Sequence, residues 1–77
     1  MEENKKPVAP IIGADGNVFN LIGICSKALK KAGYKEQADE MTNRIQNSKS
    51  YDEALSIMME YVDPVDVDYD DELDIGI

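Results

Sequence analysis

Asp66, Asp68 and Asp70 stand at alternate positions and open as a calcium-binding loop would. The likeness ends there. The sixth position, where such a loop turns on glycine, is Asp71, and the twelfth, where a bidentate glutamate belongs, is Ile77. The segment reads as solvated carboxylates, and no metal or cofactor is expected. Cys25 is the sole thiol, and a chain without histidine offers it no imidazole base. Its helical phase sets it beside Leu21, Ile22 and Leu29, as a small buried hydrophobe. Glu53 and Glu60 are the first carboxylates to test for general acid–base chemistry. Such a pair needs burial or a partner to move its pKa, whereas these helices put most of their acids on polar faces. Asp15-Gly16-Asn17 precedes a helix as a phosphate-binding turn does, but without the glycine spacing of a P-loop or dinucleotide fingerprint. No catalytic residue is expected, and the chain reads as a non-enzyme.

Binding is the remaining class of function, and charge indicates its direction. Seven of the sixteen acids lie from Asp63 onward (Asp63, Asp66, Asp68, Asp70, Asp71, Glu72 and Asp74), with no basic residue among them. The net charge of −8 is therefore concentrated at one end, and the body through Val62 is close to neutral. Direct nucleic-acid binding is disfavoured, because it rests on clustered Lys and Arg that neutralise phosphates. The complementary partner is a protein with a basic surface. A sharper form of the expectation is nucleic-acid mimicry, with 63–74 occupying the phosphate-binding groove of a nucleic-acid-handling protein.

The candidate partner-binding residues are thus Asp66, Asp68, Asp70, Asp71 and Glu72. Phe19 and Ile24 join them, on the edges of the first helix and about 140° apart. Met41, Met58 and Met59, with Tyr51 and Tyr61, could form an adaptable surface, although methionines at helical spacing read first as core.

These side chains must be held by helices. In VFNLIGICSKALKKA the residues Val18, Leu21, Ile22, Cys25, Ala28, Leu29 and Ala32 share one face, which predicts a core helix over 18–32. Asn17 is placed to cap it, after a turn centred on Asp15-Gly16, and Gly33 is placed to stop it. Gly23, in mid-helix, predicts close approach of another backbone. Tyr34, Ala38, Met41 and Ile45 give a narrow stripe and a second, outer helix over 34–46. Ser50-Tyr51-Asp52-Glu53 matches a capping box, in which Glu53 reaches back to the Ser50 N–H, and starts a third helix over 51–62. Its main face is Tyr51, Ala54, Leu55, Met58, Tyr61 and Val62, flanked by Ile57 and Met59, and Pro64 ends it.

Pro7 and Pro10 force an extended segment over 8–12. Val65, Val67 and Tyr69 alternate with aspartates, which predicts a strand over 65–69 paired with 8–12 and covering the first helix near Phe19. Residues 1–6 read as a frayed end, 7–62 as a single helical domain, and 63–77 as an acidic segment, strand or disordered. The expected fold is a compact, mainly α three-helix domain with a short extended N-terminal segment. If the tail pairs with that segment, the domain becomes a small α+β fold.

Seventy-seven residues without a disulfide or zinc cluster must rely on helix packing, for which self-association as a homodimer is a natural reinforcement. Neither a signal peptide nor a membrane span is read, so a soluble, cytoplasmic protein is expected.

The phrases DGNVFNLIG, SKALKKAGY and SYDEALSIMMEYV, with the EM of the second helix, carry a resemblance over about residues 10–62. The chain resembles small acidic proteins of Firmicutes phages and integrated mobile elements, a group with no assigned activity. The resemblance implies a bacterial or phage-infected cytoplasm and an accessory role, and transfers no functional residue.

Overall fold

The computed structural model describes residues 6–68. Among these, β1 (Val8–Ile12), α1 (Val18–Lys31), α2 (Lys35–Gln46), α3 (Tyr51–Tyr61) and β2 (Asp63–Asp66) follow in order, giving a small α+β domain of three helices and one strand pair. Local chemistry sets most of these boundaries. The Asn17 side chain accepts from the Phe19 N–H at 2.8 Å and starts α1. Gly33, at φ 90°, ends it. The Tyr34 N–H reaches the Leu29 carbonyl at 2.8 Å and the Gly33 N–H that of Lys30 at 3.0 Å, the paired bonds of a Schellman cap.

The Ser50 hydroxyl accepts from the Glu53 N–H at 3.1 Å and starts α3. The return bond differs from the expected capping box: the Glu53 carboxylate accepts from Lys49 N–H at 3.0 Å instead of from Ser50. The turn before α1 also differs. It is centred on Gly13, at φ 91°, with the Ala14 N–H on the Ile11 carbonyl at 3.2 Å. A positive φ at the third turn position is a conformation suited to glycine. Asp15 instead accepts from the Asn17 N–H at 3.1 Å.

β1 and β2 pair in parallel, with Val8 opposite Asp63 and Pro10 opposite Val65. Parallel neighbours need a crossover, and the three helices form it. The strand lies at Asp63–Asp66, two residues earlier than the alternation predicts, because pairing begins as soon as α3 ends. Asp63 N–H donates to the Pro7 carbonyl and Val67 N–H to that of Ile12, each at 2.9 Å. The register shifts between Pro10 and Ile12, where β1 carries an extra residue. All three prolines of the chain, Pro7, Pro10 and Pro64, lie in or beside this sheet. Lacking an N–H, they limit what its open edges can donate to another strand. Tyr69 of the predicted strand lies outside the described residues, as does the predicted frayed end except Lys6. The Lys6 ammonium donates to the Met59 carbonyl at 2.9 Å.

The core is drawn from every helix. Leu21, Cys25 and Leu29 of α1, Ala38, Met41 and Ile45 of α2, and Ala54, Ile57 and Met58 of α3 are buried, with Ala9 beneath them and Val62 closing the end. Ile57 is buried where the sequence predicts a flank, and Tyr51 is exposed where it predicts a main-face position. The third helix is therefore rotated toward Ile57, burying Ala54, Ile57 and Met58 and leaving Tyr51 and Met59 exposed. Among the described residues no polar or charged side chain is buried.

Candidate functional site

One end of the molecule gathers the end of β1, the turn at 13–17, the starts of α1 and α3, and the end of β2. Hydrogen bonds fix this arrangement. The Tyr51 hydroxyl donates to the Gly16 carbonyl and ties α3 to the turn. The Asn20 side-chain amide donates to the Asp15 carbonyl at 2.9 Å and ties α1 to it. The Val67 N–H bond to Ile12 joins the two strand ends, and the Val67 side chain lies 3.3 Å from where a Cβ on Gly13 would sit. We expect Tyr51→Phe to lower stability by about 0.5–1.5 kcal/mol, the usual net worth of such a bond. A thermal melt reads this as a drop of several degrees in a domain of this size.

Two kinds of side chain share this end. Asp15, Asp66 and Asp68 are exposed acids. The Asp66 carboxylate accepts from the Asp68 N–H at 2.8 Å, as Asp15 accepts from Asn17. The Asp66 and Asp15 carboxylates are thus each oriented by one backbone bond and keep accepting capacity for a partner. Beside them stand apolar side chains left in water: Phe19 at 76 % exposure, Ile12 at 52 % and Val67 at 45 %. The strand does not cover Phe19, contrary to the sequence expectation.

Of the predicted partner-binding residues, Asp66 and Asp68 lie at this end on β2 and the turn after it, and Phe19 lies in the first turn of α1. Asp70, Asp71 and Glu72 lie outside the described residues. Ile24, on the edge of α1, is half-buried against the core. Asp15, Ile12 and Val67, which the sequence reading does not name for this role, are exposed at the same end. A signal for Ile12 was present in the adjacent pair Ile11-Ile12, since a strand can turn only one of two neighbours inward, and Ile11 is the half-buried one.

The other chemical candidates have structural duties. Cys25 is fully buried, and desolvation pushes its thiol up to about 11, which suppresses the reactive thiolate. Met41 and Met58 are core, whereas Met59 is exposed. Glu53 serves the start of α3. Glu60 receives a two-pronged bond from Arg44, at 2.6 and 3.3 Å, while Arg44 also donates to the Tyr61 hydroxyl at 3.1 Å and lies over its ring.

The hydrogen bond from Arg44 holds the Glu60 carboxyl below its ordinary value of 4.5. A folded-state pKa lowered in this way gives stability that is present above the unfolded value and lost as pH falls through the folded one. Glu60→Gln is therefore expected to flatten the acid limb of a stability–pH curve below about pH 4.5, and an unchanged limb would contradict the assignment.

Among the described residues, no three Cys, Asp or Glu side chains are grouped to hold a metal ion. No helix among them is long and apolar enough to cross a membrane. No protein-family model matches the chain, and no curated protein or solved structure is found similar to it.

Proposed function

We propose that the chain is a non-enzymatic protein-interaction module that binds a basic partner surface through the end carrying Asp15, Asp66 and Asp68. The observation that supports this is the juxtaposition of oriented carboxylates with the exposed Phe19, Ile12 and Val67. An apolar centre gives affinity by excluding water, and surrounding charge gives orientation and a fast, salt-sensitive encounter. The acids of the segment beyond, Asp70, Asp71 and Glu72, extend the same charge. The resemblance to proteins of phages and mobile elements favours an accessory role in a bacterial cytoplasm.

Calorimetric titration with a peptide of alternating leucine and lysine tests this reading. Affinity is expected to fall about tenfold between low and high salt and again in the double variant Asp66→Asn, Asp68→Asn. Affinity unchanged by both would overturn it. The mimicry form adds that the chain competes with DNA for a nucleic-acid-handling protein. Its deletion test belongs after Asp68, because a cut after Val62 also removes β2.

A second reading is a structural homodimer, reinforcing a small core. With Ile57 and Met58 buried inside the domain, Tyr51 and Met59 of α3 and Phe19 of α1 are the exposed apolar side chains on the helices that a second copy could cover.

A further inference from the structure

Gly23 sits in the middle of α1, where glycine costs about 1 kcal/mol relative to alanine. Nothing among the described residues calls for glycine there: its φ is not positive, and no atom outside its own stretch of helix lies within 4 Å of where a Cβ would stand. The backbone approach predicted from the sequence does not occur among the described residues. What the missing side chain leaves is room, on the helix face turned away from the core. Gly23 there borders a shallow open hollow of about 550 Å³, lined also by Ser26, Lys27, Lys30 and Lys31. Phe19, one turn earlier on the same stripe, projects into water at 76 % exposure. A protruding aromatic and an empty place of this kind, at i and i+4 on one exposed face, are complementary to each other but not within one helix.

We infer that α1 pairs antiparallel with α1 of a second copy, the Phe19 ring of each filling the space above Gly23 of the other. A two-fold axis near Leu21 makes the contact twice, as an isologous interface requires. The charges support the same register. When Phe19 faces Gly23 in an antiparallel pair, the two helices overlap over residues 18–24, and Lys27 and Lys30 of each extend past the start of the other α1 toward the turn that carries Asp15. The lysine end of each α1 thus meets the acidic end of its partner, in a chain whose net charge of −8 would otherwise keep copies apart. This inference goes beyond the basic-partner reading and does not depend on it, although a basic peptide would compete with the second copy for Asp15 and Asp66.

Sedimentation equilibrium of the full chain, from micromolar to near-millimolar concentration, tests the pairing. The expected result is a monomer–dimer equilibrium whose dissociation constant rises about tenfold from low to high salt. Gly23→Leu, which favours helix and fills the hollow, is expected to abolish the dimer without lowering the melting temperature of the monomer. The double variants Lys27→Glu, Lys30→Glu and Asp15→Lys, Asp66→Lys are each expected to be monomeric and to associate when mixed, since the reversed charges then oppose one another again. A monomeric mass at every concentration, or a dimer untouched by Gly23→Leu and by both charge reversals, overturns the inference. Failure here is distinguishable from failure of the basic-partner reading, because Gly23→Leu leaves every residue of the peptide-binding end in place.

Discussion

Met58→Ala is expected to remove about 2–5 kcal/mol of stability, the range for truncating a fully buried methionine. Met58 is completely shielded from solvent, in a core it shares with Leu29, Met41 and Val62. A single core of this size supplies only about 3–5 kcal/mol net, so the variant stands at or past the edge of folding. Urea titration of the wild-type chain, Met58→Ala and Met58→Leu reads the difference. The leucine variant, which conserves volume, should lose less than about 1.5 kcal/mol. If alanine and leucine behaved alike, Met58 would not be the packing element described here.

Gly13→Val carries the second large effect, and it joins fold to site. The backbone at φ 91° is strained for any side chain, at about 1–3 kcal/mol. A branched side chain would also meet Val67, already 3.3 Å from the first carbon it would add. Both effects push the end of β2 away from β1, so the Val67 N–H bond to Ile12 is the first to open. Hydrogen exchange at the Val67 amide should speed up more than at Asp63, where the sheet begins. The peptide affinity that relies on Asp66 and Asp68 should weaken with it. Equal exchange at both ends, with affinity intact, would show that Gly13 does not hold the site together.

The helices were legible in the sequence because their signals are local. The spacing of Leu21, Cys25 and Leu29, the cap at Asn17, the stop at Gly33 and the hydroxyl of Ser50 each act within a few residues, and each operates in the structure. The strand was legible only as a tendency. Alternation in VDVDY suggested 65–69, but pairing is set by where Val62 leaves α3 and by Pro7 waiting opposite, a relation between residues far apart in the chain. That the strands run parallel was likewise invisible. The turn was misplaced for a similar reason: Asp15-Gly16 and Gly13 are equally good turn residues by composition, and only the position of Ile11 against the core selects Gly13.

The candidate end was half legible. Aspartates announce themselves by type, so Asp66 and Asp68 stand out in the sequence, and the structure places both, exposed, at this end. The apolar part depends on which hydrophobics the core leaves out, and that emerges only from packing. Ile24, on the edge of α1, lies half-buried against the core, while Ile12 and Val67 are left in water. Gly23 stands out in the sequence as a cost without an evident return, but the close backbone approach it suggests is absent among the described residues.

The central claim, that the end carrying Asp15, Asp66 and Asp68 is the binding surface, is tested most directly by chemical-shift mapping. The ¹⁵N-labelled full chain would be titrated with the leucine–lysine peptide at low salt. The account predicts shifts concentrated at Ile12, Asp15, Phe19, Asp66, Val67 and Asp68, fading as salt is added, while the outer face of α2 at Glu36, Glu40 and Asn43 stays unmoved. Shifts spread evenly over every exposed acid, or centred on α2, would contradict it.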